Sequence, residues 1–163
     1  MRSAISVLIS TIYTVSVGMP EPRPTGTLLS FDYGRRRIGV AVGQTLTGTA
    51  SALAVVKVSD HPDWQAIASL IGQWKPAALI VGLPVAEDGS ETPLSREAGD
   101  FGRSLQKKHK LNVFYEDERL TSFAAEERFI DARGKGGMRK KDAALKDAMA
   151  AQIILENWLQ STP

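Results

Sequence analysis

Hydrophobic positions along this chain fall into two regimes. The first holds three short β-rich runs. Thr27–Asp32 and Arg37–Gly43 flank Tyr33-Gly34-Arg35-Arg36, which predicts a hairpin with glycine in its turn. Leu53–Val58 follows a Gly- and Thr-rich connection as a third strand. Helical and strand patterns then alternate. "HPDWQAIASLIGQWKP" places Trp64, Ile67, Ile71 and Trp74 at helical spacing, with Asp60 and Pro62 as start signals and Pro76 beyond the end. "AALIVGLP" is a continuous apolar run, as in a strand buried on both faces of a parallel sheet. The loop "VAEDGSETP" leads to a helix around Leu94–Lys108, and "LNVFYEDER" is a strand ending in acids. Thr121 or Ser122 can cap a helix running to about Ala132, where Gly134 stops it. A basic, Gly-rich run follows, and the chain closes with a helix from about Asp142 to Gln160.

The order βββ-α-β-α-β-α-α predicts an α/β domain. Its mixed five-stranded sheet would have three antiparallel strands, then parallel strands, with helices on its faces. No internal repeat or interdomain linker interrupts residues 25–163, which read as one domain. Residues 1–24 read as an extension, either disordered or a misassigned start. "MRSAISVLISTIYTVSVGM" has a thin positive region for a secretion signal and is short for a membrane span. Met19 opens a plausible alternative beginning.

Composition narrows the chemistry. The 163 residues are 43% hydrophobic and 23% charged, as in an ordinary soluble domain with a real core. There is no cysteine, which excludes disulfides and cysteine-ligated zinc. The only histidines are His61 and His109, so carboxylates must carry any metal or acid–base chemistry. The net charge is only +2, but its distribution is uneven. Arg35, Arg36 and Arg37 form one basic cluster, and "RGKGGMRKK" (Arg133–Lys141) forms another holding five cations and no acid. Without those eight, 12 positive charges face 18 negative ones. Positive charge focused in two places suits a polyanion, although either cluster alone could be a solvated loop.

Three places put an acid where an acid is locally unfavourable. Asp32 ends the apolar strand "LLSF", and Asp117 and Glu118 end "LNVFY". The third is on the closing helix. At about 100° per residue, Ala151, Ile154 and Trp158 lie within about 40° of Asp147, which is therefore a charge at the centre of an apolar stripe. Burying an unpaired carboxylate costs several kcal/mol, so Asp147 needs a cation. Carboxylates converging from two strand ends and a helix make a hard oxygen site, for which Mg²⁺ or Mn²⁺ is expected, as a pair of ions. Structural alternatives exist for each acid. Asp32 could hydrogen-bond its turn, Asp117 or Glu118 could pair with Arg119, and Asp147 could pair with an internal lysine or arginine. Arg35, Arg36, Arg37, Arg119, Lys135, Arg139, Lys140 and Lys141 would hold the phosphates.

Four stretches, "FDYGRRRIGVAVGQTLTGTASAL", "ALIVGLPVAEDGSETP", "EDERLTS" and "KDAMAAQIILENWL", resemble in order and spacing the YqgF/RuvX family, from about Leu28 to Leu159. The resemblance implies an RNase H-like fold. It implies a bacterial, cytoplasmic nuclease that processes the 5′ end of pre-16S ribosomal RNA, or alternatively a resolvase of Holliday junctions. It implies that Asp32 matches the first-strand acid, Glu118 in "DER" the second acid with Asp117 as companion, and Asp147 the acid of the closing helix. Residues 1–18 have no counterpart in the family. The partner is thus a nucleic acid, pre-16S rRNA or branched DNA, bound by a monomer or homodimer, with no membrane involved. Two readings from other classes compete. The opening hairpin also resembles the phosphate-binding hairpin of actin- and sugar-kinase-like ATPases, but those need two such domains. A non-catalytic RNA-binding assembly factor would keep the fold without turnover.

Overall fold

A computed structural model describes residues 22–118 and 140–161, excepting the side chains of residues 140–142. The helix expected up to Ala132 and the basic run up to Arg139 lie outside the described residues.

Five strands form one sheet: β1 (Thr27–Asp32), β2 (Arg37–Gln44), β3 (Thr49–Lys57), β4 (Ala78–Leu83) and β5 (Val113–Asp117). Their spatial order is β3-β2-β1-β4-β5. The first three pair antiparallel, whereas β4 and β5 run parallel to β1. This is the mixed sheet that the order of elements predicts. Among the described residues three helices accompany it: α1 (Trp64–Trp74), α2 (Pro93–His109) and α3 (Lys140–Gln160).

Alternation along the strands divides the core into two layers. Leu29, Phe31, Leu79, Val81, Leu83, Val113 and Tyr115 face Ile67 of α1 and Phe101 and Leu105 of α2. Leu28, Ala41 and Ile80 face Ala151, Ile154, Leu155 and Trp158 of α3. Every residue of β4 is buried, as its unbroken apolar run requires. The helical wheel likewise held for Ala151, Ile154 and Trp158, which α3 buries together with Ala148, Ala150, Ile153 and Leu155.

Two boundaries differ from the sequence reading. Strand β3 begins at Thr49 rather than Leu53, because Ala50, Ser51 and Ala52 pair with Gly43, Val42 and Ala41 of β2. Ladder pairing there outweighs the weak strand preference of small residues. Helix α1 is capped by Asp63, whose side chain accepts from the Ala66 N–H at 3.1 Å, rather than by Asp60. Arg23, ahead of the expected start of the domain, is fastened to its far end. It donates to the Trp158 carbonyl at 2.6 Å and lies 3.9 Å over that indole ring.

Candidate functional site

The site grows from the centre of the sheet. Asp32 ends β1, the middle strand, on the face that α3 covers. Two residues earlier on the same face, Ser30 Oγ donates to the Ala151 carbonyl at 2.7 Å in a fully buried contact. Asp32 pairs with Gly39 across the β1–β2 hairpin. A Cβ added to Gly39 would collide with the backbone carbonyl of Asp147, so α3 crosses the sheet at this glycine. The close crossing brings the Asp147 charge near enough to act on Asp32.

Glu118 arrives from the far side. The alternation of β5 puts Phe114 against Trp158 on the α3 face, with ring centroids 5.6 Å apart. Tyr115 joins the opposite layer. Glu116 and Glu118 thus follow Phe114, while Asp117 follows Tyr115 to the other face. The Glu118 N–H continues the parallel ladder by donating to the Leu83 carbonyl at 3.2 Å. One strand, β4, separates Glu118 from Asp32, and its residue there is Gly82. A Cβ at Gly82 would lie 2.8 Å from Glu118 Oε2, so the missing side chain gives the carboxyl its passage.

Asp32 and Glu118 are hydrogen-bonded to each other. Glu118 is only 8% exposed, and burial pushes its carboxyl well above the usual range, with the negative charge of Asp32 adding to the effect. Burial also raises Asp32, to about 6, and the charge of Asp147 works in the same direction. The hydrogen bond from Glu118 opposes both. Glu116 on the same face is pushed up to about 7, chiefly by burial, with Asp117 adding and Arg23 opposing. Its position was not singled out by the sequence reading.

The three arginines of the turn separate. Arg37 Nε donates to Asp147 Oδ2 at 2.7 Å. Asp147 thus has the internal cation that the sequence allowed as an alternative to a metal. Arg35 turns away and forks onto Glu97 of α2, with Nε and Nη2 contacts of 3.0–3.2 Å. Arg36 remains beside the turn, where Gly34, Arg35, Arg36, Arg37 and Asp147 line a cavity of about 290 Å³. Arg119, Lys135 and Arg139 lie outside the described residues, as do the side chains of Lys140 and Lys141 in the first turn of α3.

The structure therefore brings Asp32 and Glu118 into contact, sets Asp147 beside them on Arg37, and sends Asp117 to the other face. Among the described residues, no three histidine, aspartate or glutamate side chains converge as a ready-made metal cage. Asp32 and Glu118 nevertheless fit a hard cation. They are oxygen donors held close enough to need a proton between them, and a divalent ion can replace that proton. Sequence reasoning missed Gly39 and Gly82. A glycine inside each strand was the available signal for a close approach.

A family model described as RuvX, Holliday junction resolvase, matches residues 26–161. A Pseudomonas aeruginosa protein named "Putative pre-16S rRNA nuclease" is 44% identical over 146 residues, covering 89% of this chain and 99% of the relative. A protein of the same name from Xanthomonas euvesicatoria is 46% identical over 145 residues, covering 86% of this chain and 94% of its own. Among solved structures, Thermus thermophilus RuvC in complex with Holliday junction substrate matches with a TM-score of 0.48 at 20% identity. That match covers 82% of this chain and 93% of the RuvC chain.

Proposed function

The chain belongs to the RuvX family, and from that premise we propose that it is a nuclease hydrolysing phosphodiester bonds of structured nucleic acid. The favoured substrate is the 5′ end of pre-16S rRNA, cut in the cytoplasm with Mg²⁺ or Mn²⁺ bound at Asp32, Glu118 and Asp147. The observation that carries this reading is the buried, hydrogen-bonded pair of Asp32 and Glu118 at the centre of the sheet, with the Asp147 charge acting on Asp32. Burying two acids in contact is costly, and a structural role would be met more cheaply by apolar or amide side chains.

When bound, the divalent ion supplies Lewis-acid polarisation of the scissile phosphate and of the attacking water. The protein's own residues do the rest. Asp32 and Glu118 would hold the ion through their carboxylate oxygens, the proton of their hydrogen bond passing to bulk water. Asp147, released from Arg37, would add a third oxygen donor from the helix side. Arg37, across the hairpin turn from Asp32 and paired with Asp147, exchanges that acid for a phosphate oxygen of the strand being cut. Arg35, committed to Glu97, steadies the hairpin against α2 rather than touching substrate.

A second reading within the same chemistry is cleavage of branched DNA, supported by the description of the family. One experiment separates the two: parallel cleavage of a pre-16S 5′-leader RNA and a four-way DNA junction, each with Mn²⁺ and with EDTA. Cutting of the RNA alone supports rRNA processing, and cutting of the junction alone supports the resolvase. No Mn²⁺-dependent cutting of either removes the nuclease reading.

A further inference from the structure

We propose that the groove between β3 and α1 binds a single-stranded segment of nucleic acid flanking the cut site; the assignment rests on the nuclease reading above. This groove has a volume of about 900 Å³. Arg36 and Arg37 line both it and the smaller cavity beside Asp147, so the two adjoin at the arginine turn. A strand whose scissile phosphate lies at Asp32 and Glu118 can leave the site along this path.

The chemistry of the walls selects the occupant. Arg36, Arg37 and Lys57 form a cationic side, with His61 and Gln65 adding polar groups. Among the described residues, its only carboxylate is Asp63, which is spent capping α1. The N-terminus of α1 opens into the same space and favours anions. The rest of the lining includes the apolar side chains of Val55, Val58, Trp64 and, from α3, Ala144. Cations and apolar surface in one lining are the two requirements for single-stranded nucleic acid, which offers phosphates and base faces together. A duplex would present its phosphates and keep its bases stacked inside, leaving the apolar side chains unused.

The groove is also held in shape. The Val58 N–H donates to the Arg36 carbonyl at 2.9 Å, and the Asp63 N–H donates to the Lys57 carbonyl at 3.0 Å. These bonds tie the end of β3 to the arginine turn on one side and to the start of α1 on the other. Trp64 is stacked on Phe101 with centroids 5.6 Å apart at 24°. A base resting on it would order little that is not already ordered.

Lys57 is exposed at the end of β3 and has no part in the carboxylate site, so its replacement tests the groove without threatening the fold. The probe is a fluorescein-labelled twelve-nucleotide single-stranded RNA, with the same sequence as DNA, titrated by anisotropy in EDTA at several salt concentrations. Lys57→Ala should weaken binding about 5-fold at low salt and reduce the salt slope by about 0.7, the contribution of one phosphate contact on a single strand. Lys57→Arg should restore both. Equal loss with RNA and DNA identifies the phosphate backbone as the ligand, whereas loss with RNA alone adds a ribose contact to it. Unchanged affinity and slope in Lys57→Ala, or displacement of the probe by polyglutamate at lower concentration than by unlabelled oligonucleotide, would overturn the proposal. Binding is read without hydrolysis. Lys57-dependent binding with no cleavage in Mn²⁺ would therefore sink the nuclease reading and spare the groove, and cleavage with Lys57-independent binding would do the reverse.

Discussion

The backbone carbonyl of Asp147 stands in the space that a Cβ on Gly39 would occupy. Gly39 is also the ladder partner of Asp32. One strand position therefore sets how closely the helix acid approaches the strand acid. Gly39→Ala must push α3 outward, and overpacking of this kind costs about 1–3 kcal/mol. The variant should melt about 3–10 °C lower. Below that melting point it should remain folded and still lose at least ten-fold in cleavage, because Asp147 has been withdrawn. Wild-type cleavage by a folded Gly39→Ala protein would show that the approach of Asp147 does not matter.

Charge removal separates stability from chemistry at Asp147. Asp147→Asn breaks an ion pair that is 44% exposed at Arg37 and 28% at Asp147, and such partly exposed pairs contribute about 1 kcal/mol or less. Melting should change by only a few degrees. Cleavage should fall more than 100-fold while nucleic-acid binding is largely kept. The same combination is expected for Asp32→Asn. Full activity in Asp147→Asn would eliminate the three-carboxylate mechanism.

Arg37 competes with metal for Asp147. In Arg37→Ala, calorimetry without nucleic acid should show tighter Mn²⁺ binding than in the wild type, since the acid is released from its internal partner. Cleavage should nevertheless drop about ten-fold or more, because a phosphate contact is lost. Weaker Mn²⁺ binding in Arg37→Ala would mean that the ion pair orients Asp147 for the metal instead of withholding it.

The two adjacent acids after β5 should differ sharply. Glu118→Gln removes the partner of Asp32 and should abolish cleavage. Asp117→Asn changes a residue on the other face and should cost far less. Equal losses would indicate that the strand's alternation breaks at Asp117 when substrate binds.

Stability should carry a pH signature of the carboxyl pair. Asp32 is raised from 3.8 to about 6 and Glu116 from 4.5 to about 7. A folded-state value above the unfolded one gives stability that is complete below the unfolded value and is lost as pH climbs through the folded value. The metal-free protein should therefore lose stability as pH rises from about 4 to about 7. Asp32→Asn should flatten the lower part of that decline, and saturating Mg²⁺ should offset it. Thermal melts across this range, with EDTA and with Mg²⁺, provide the measurement. A wild-type slope in Asp32→Asn would assign the decline to other groups.

Much of this arrangement was legible before any coordinates. The unbroken run "AALIVGLP" marked a buried parallel strand, and the apolar neighbours of Asp147 at helical spacing marked it as an acid on a buried face. Those signals survive because periodicity and burial are properties of one segment at a time. What the sequence left open depends on two segments at once. Asp117 and Glu118 differ only in which face each takes, and this requires knowing that Phe114 meets Trp158. Ala50–Ala52 look like a connection until β2 offers them a ladder. Arg35, Arg36 and Arg37 are chemically alike in a row, and only the positions of Glu97 and Asp147 assign them different tasks.

The buried hydrogen bond from Ser30 to the carbonyl of Ala151 has a consequence for redesign. An apolar interface alone permits a helix to slide by a turn and remain covered, since its stripe repeats. Polar contacts within that interface, this one and the Ala52 N–H donating to Gln152 Oε1 at 3.0 Å, do not repeat, so they fix α3 lengthwise. Asp147 lies one turn before Ala151, and its distance along the sheet is thus measured from Ser30. Grafting the helix acid onto another sheet would require carrying over the serine as well, because the carboxylate on its own brings no reference point.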